Sequence, residues 1–146
     1  MKNQAKRRPI MKPTPLHLSV QRDGGQTQAV TLEHDFATYL EGIVSDIQSW
    51  WTRRKKKGWP VMLADLEEGR VCEITAKSRG LFCDVEVLYA LNGVNYTGVG
   101  YAKCSFDAFR IERGIGLALS RAIHDMLTTI ILERCDQADK LEAVLA

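Results

Sequence analysis

The sequence lacks the marks of an exported, membrane-embedded or metal-stapled chain. No run of about 18 apolar residues occurs, so no membrane-spanning helix is expected. The basic start, Met1 to Pro13, leads into no apolar core and does not read as a secretory signal. The expected location is therefore cytoplasmic, in reducing surroundings. The four cysteines, Cys72, Cys83, Cys104 and Cys135, are widely spaced. They form no Cys-x-x-Cys pair, and none stands at ligand spacing from His17, His34 or His124. Four free, buried thiols follow, with no metal and no cofactor. Proline is scarce after the first fifteen residues: three of the four fall there, without apolar periodicity, and residues 1–15 read as a flexible basic arm. What remains is ample for one domain with its own core, since the chain has 146 residues, 45% of them hydrophobic.

The net charge of +2 hides an uneven distribution. Lys2, Lys6, Arg7, Arg8 and Lys12 form one block, and Arg53, Arg54, Lys55, Lys56 and Lys57 form another. Together they hold ten of the twenty basic residues and no acid, so the rest of the chain carries ten basic against eighteen acidic residues. An acidic body with two positive blocks suits phosphates or acidic partners.

Periodicity predicts an α+β fold. Leu16, Leu18 and Val20 alternate, Asp23-Gly24-Gly25 is turn chemistry, and Gln28 to Leu32 returns, which makes an N-terminal hairpin. Phe36, Leu40, Ile43, Ile47 and Trp50 form a helical stripe over about 33–57, followed by Gly58. Pro60 to Glu68 has room for one or two further helical turns. Residues 70–77, 82–91 and 94–104 alternate with period two, with an Asn92-Gly93 hairpin turn pairing Leu91 with Val94. An Arg79-Gly80 turn would pair Ser78 with Leu81 and set Glu73 against Glu86. In this register Cys72, Ile74, Ala76, Cys83, Val85, Val87, Tyr89, Leu91, Val94, Tyr96 and Cys104 share the buried face. Gly98, Gly100 and Ala102 leave gaps on that face. A last helix from about 107 fills them with its small-residue stripe, Gly114, Ala118 and Ala122. The expected architecture is α-β-β-β-α, an antiparallel meander packed on two helices, within one domain spanning 16–146.

The order from 33 to 134 resembles the double-stranded-RNA-binding domain. The stretch Tyr96-Thr-Gly-Val-Gly-Tyr-Ala-Lys-Cys104 and the small-residue helix ending Leu119-Ser-Arg-Ala-Ile123 are similar to small bacterial and phage proteins of that fold. The resemblance implies three contact surfaces. They are the first helix, the Ser78-Arg79-Gly80 turn, and the start of the last helix with Lys103, Arg110 and Arg113. The turn is shorter than the family's and has no Pro-His element.

The most unusual stretch runs from Trp50 to Trp59. Five consecutive cations there repel one another, and Trp51 and Trp59 flank them, a composition that suits phosphates and stacked bases. The bland alternative is a core Trp50 with a solvated helix end. Asp84, Glu86 and Glu73 fall on the outer sheet face, but no lysine follows Glu86 as a metal nuclease would require. His124 has no serine or cysteine placed to use it as a base. The sequence thus points to a nucleic-acid-binding accessory protein of the kind phages and mobile elements encode, not to an enzyme. The alternative is a protein-binding module, such as an inhibitor of a host enzyme, working through the acidic outer sheet face or exposed tryptophans. No membrane partner is expected, and a homodimer is compatible with the sequence.

Overall fold

The computed structural model describes residues 15–53, 69–103 and 110–145, with side chains described for 15–49, 69–103 and 110–134. The basic arm, the turns expected between Pro60 and Glu68, and Cys104 lie outside the described residues. The elements are β1 (Leu16–Gln21), β2 (Thr27–Leu32), α1 (Phe36–Arg53), β3 (Arg70–Arg79), β4 (Phe82–Leu91), β5 (Val94–Lys103) and α2 (Ile111–Leu145). The five strands make one mixed sheet in the order β2-β1-β3-β4-β5.

The α+β class and the helix, three-strand meander, helix order hold. The N-terminal hairpin belongs to the same sheet, because β1 pairs parallel with β3 through Val20 opposite Ala76 and Gln21 opposite Lys77. Its turn at Asp23–Gly25 uses glycines at φ 82° and 83°, a left-handed region that side chains disfavour.

α1 starts at Phe36, later than its acidic lead-in suggests, because Asp35 caps it. The Asp35 carboxylate accepts hydrogen bonds from the Thr38 N–H at 2.8 Å and the Thr38 hydroxyl at 2.6 Å. Leu40 is buried, and Phe36, Ile43 and Ile47 lie half-buried against the core. The Phe36 ring stacks on Tyr89 with centroids 5.9 Å apart.

Asn92 (φ 52°) and Gly93 (φ 79°) form the expected two-residue turn, with Leu91 opposite Val94. The β3–β4 turn is Gly80-Leu81 instead of Arg79-Gly80. Of its two central residues only Gly80, at φ 55°, has a positive φ, the pattern of a type II′ turn that wants glycine first. Arg79 therefore faces Phe82, and Thr75, not Glu73, faces Glu86. The slip is by two residues, so the faces keep their composition. It brings Lys77 opposite Asp84 and Glu73 opposite Leu88, removing the expected juxtaposition of two acids.

Two residues leave the predicted buried face. A bulge between Val71 and Glu73 makes Cys72 the extra residue and turns it outward, so this thiol is free but exposed, whereas Cys83 is free and buried. Val94, beside the turn, is 44% exposed.

α2 begins at Ile111 and buries Ile115, Leu119, Ile123, Met126, Leu127 and Ile130 completely. It touches both edge strands, β2 and β5. In a flat sheet those strands would stand about 19 Å apart, so the sheet must curl around the helix. Gly98 and Gly100 allow the closest approach: a Cβ on either would stand 2.0 Å from the carbonyl oxygen of Ala122 or Ala118, respectively. The segment Ile111–Arg134 is also long and apolar enough, by composition, to cross a bilayer, contrary to the expectation from apolar runs; half of it is buried within the fold.

Candidate nucleic-acid interface

The face of the sheet turned away from α2 carries the features that can meet a ligand. On β3 from Glu73 onward and on β5 the odd-numbered residues point there, and on β4 the even-numbered ones do. The two-residue turn sets Arg79 against Phe82, and the β4–β5 register sets Phe82 against Lys103. One row thus runs Arg79, Phe82, Lys103 across three strands. The next runs Lys77, Asp84, Tyr101, with Gln21 of β1 beside Lys77. Directly opposed side chains on adjacent strands lie about 5 Å apart at Cβ, and diagonal neighbours, such as Phe82 and Tyr101, are about 7–8 Å apart, somewhat less at Cβ.

Both aromatic rings are open to solvent, Phe82 at 54% and Tyr101 at 62%. The Lys103 ammonium sits 5.5 Å from the Phe82 ring centroid, a cation–π contact worth about 0.5–1 kcal/mol at an exposed site. The backbone beneath is held from the far side, where an Arg121 Nη1–H donates to the Tyr101 carbonyl oxygen at 2.7 Å. At the strand ends the Gly80 N–H donates to the Asp23 carboxylate at 3.1 Å, tying the two hairpin turns together. A polar hollow lined by Gln21, Arg22, Asp23, Lys77 and Arg79 opens beside that tie.

Four cations, Arg22, Lys77, Arg79 and Lys103, against two carboxylates, Asp23 and Asp84, make this corner positive. The middle of the same face is acidic, with exposed Glu86 between Thr75 and Val99, and exposed Glu73 beside Leu88. Among the described residues, no three His, Cys, Asp or Glu side chains are grouped to hold a metal.

The structure brings Arg79 and Lys103 together, the two residues that the resemblance assigns to separate surfaces. Arg110 and Arg113 are both exposed at the first turn of α2, where the Arg110 carbonyl accepts the Arg113 and Gly114 N–H groups at 3.0 Å. α2 runs antiparallel to β5, with Met126 near Gly98 and Ala118 near Gly100, so its first turn lies towards the Lys103 end. Trp51 and Arg53 belong to the last turn of α1, and Arg54, Lys55, Lys56, Lys57 and Trp59 lie outside the described residues. His124 is exposed, and its carbonyl accepts the Thr128 hydroxyl at 2.8 Å.

Phe82 and Tyr101 are the site residues that sequence reasoning missed. The signal was present: each is an aromatic in phase with charged or polar residues, Phe82 with Asp84 and Glu86, Tyr101 with Thr97 and Lys103.

Comparison with protein-family models, curated proteins and solved structures finds no match to this chain.

Proposed function

We propose that this protein binds nucleic acid through its phosphate backbone and acts by binding, not by catalysis. The observation that carries this reading is the row in which Arg79 and Lys103 flank the exposed Phe82. Arg79 offers a planar fork that grips a phosphate with two hydrogen bonds, and Lys103 and Lys77 add point charges. Arg110 and Arg113 reinforce the positive end of the α2 dipole, which favours anions. The block Arg53 to Lys57, with Trp51 and Trp59, supplies further phosphate contacts, and the N-terminal arm adds sequence-independent attraction.

The test is a fluorescence-anisotropy titration with labelled oligonucleotides, comparing wild type with R79Q/K103Q. Both side chains point to solvent, so the variant should fold normally by circular dichroism. The double variant is expected to bind at least tenfold more weakly. The loss should be alike for different base sequences, because phosphate contacts position without specifying. Equal binding by the folded variant would overturn the assignment of this corner. Absence of any binding by the wild type would move the reading to a protein partner held by the acidic middle of the sheet.

A further inference from the structure

We infer that the nucleic acid is taken as a single strand, with two bases stacked on Phe82 and Tyr101; this rests on the nucleic-acid reading above. Large hydrophobic residues that remain exposed are few among the described residues: Phe82, Val94, Tyr101, Leu117 and Leu132. The only two aromatics among them meet at one corner of one sheet face, on adjacent strands. Each exposes more than half of its surface, although a curled five-stranded sheet has an interior side available for such rings. Tyr96 and Tyr89 occupy that interior and are buried.

Duplex nucleic acid cannot use two such rings. Its bases are stacked on one another, and it presents phosphates and groove edges to a flat surface. An unpaired base has a free face, and a flat ring accepts any of the four. The spacing of diagonal neighbours, about 7–8 Å and somewhat less between Cβ atoms, suits two successive nucleotides splayed over the strands rather than stacked together. The charges around the rings fit the same ligand. Arg79 and Lys103 lie on either side of Phe82, whereas Tyr101 faces Asp84 directly, with Lys77 one strand beyond it, and shares Lys103, two residues along its own strand, as its nearest cation on this face. Lys103 already lies over the Phe82 ring, so an arriving base displaces an ammonium that can pair with the adjoining phosphate. The acidic middle of the face, Glu86 and Glu73, repels the backbone and confines the strand to the turn end. Arg121 and the Asp23–Gly80 tie hold the platform in place before the ligand arrives.

The experiment measures the affinity of the full chain for three probes by anisotropy: a 12-nucleotide single-stranded RNA, the same sequence as DNA, and its duplex. The proteins compared are wild type, F82A, Y101A, Y101F and R79Q/K103Q, each checked for folding by circular dichroism. Wild type should prefer the single strands. F82A and Y101A should each lose roughly 5- to 150-fold on single strands, the range for one base–aromatic stack, and change little on duplex. Y101F keeps the ring and should bind within about twofold of wild type, a rescue that mere folding damage would not give. If R79Q/K103Q weakens binding but F82A and Y101A do not, or if duplex binds as well as single strand, the stacking inference is overturned and the nucleic-acid reading survives. If the folded wild type binds none of the three probes, both fall.

Discussion

Asp125 of α2 accepts a hydrogen bond from the backbone N–H of Val99 on β5 at 2.9 Å. Val99 belongs to an edge strand, so this N–H faces away from the sheet. One helical turn earlier, Arg121 donates to the Tyr101 carbonyl oxygen at 2.7 Å. A carboxylate and a guanidinium four residues apart thereby occupy one donor and one acceptor of the β5 edge, backbone groups that would otherwise template pairing with another chain. Replacing Asp125 with Ala should cost about 1–2 kcal/mol in urea unfolding. The double change R121A/D125A should also raise light scattering with protein concentration. Unchanged stability and scattering in both variants would show that the edge needs no such closure.

The close approach of sheet and helix gives a sharper contrast. Gly98→Ala places a methyl group 2.0 Å from the Ala122 carbonyl oxygen and 2.7 Å from the Met126 Cβ, and backbone must move to admit it. The expected cost is about 1–3 kcal/mol, and more for Gly98→Val. Gly42, in the exposed part of α1, has nothing within 4 Å of an added Cβ. Gly42→Ala should therefore stabilise by about 0.5–1 kcal/mol, since alanine restricts the unfolded chain and favours helix. Thermal melts of the two variants should move in opposite directions.

Burial pushes the Tyr89 hydroxyl above its ordinary range. Tyr39 and Tyr96 move the same way, mainly through burial, with Glu33 adding to the first and Glu133 to the second. A raised folded-state pKa means that the protonated phenol is the form the fold prefers. The associated stability is complete below the unfolded value of about 10 and falls as pH rises through the folded values. Urea midpoints should be flat across neutral pH in this respect and decline above about pH 10. Phenolate absorbance from the buried rings should rise together with the loss of far-ultraviolet circular dichroism.

The sheet interior was readable because alternation survives errors of two residues. The turn at Gly80-Leu81 differs from the expected Arg79-Gly80, yet Cys83, Val85 and Val87 remain inside. The Gly98 and Gly100 gaps announced the small-residue face of α2 in the same way. Cys72 was misplaced because a bulge adds one residue, and nothing in Val71-Cys72-Glu73 announces it. The parallel pairing of β1 with β3 joins segments more than fifty residues apart, and local periodicity carries no information about such contacts. The candidate site was half legible: Arg79 and Lys103 came only from the family resemblance, and their placement on either side of Phe82 depends on registers fixed by two turns, Gly80-Leu81 and Asn92-Gly93.

The central claim is that phosphates bind this protein, and the salt dependence of affinity tests it most directly. Each phosphate contact releases a counterion, so the logarithm of affinity falls with that of salt by about 0.7 per contact on single strands. Changing Arg53, Arg54, Lys55, Lys56 and Lys57 to glutamine should leave the domain folded, since each cation at a helix end contributes at most about 0.3–1 kcal/mol and their mutual repulsion offsets part of it. Loss of three to five contacts should flatten the slope by about 2 to 3.5, equally for different base sequences. A wild-type affinity that does not fall with salt would contradict the account, whereas an unchanged slope in the folded variant would leave the phosphate contacts to Arg79, Lys77 and Lys103.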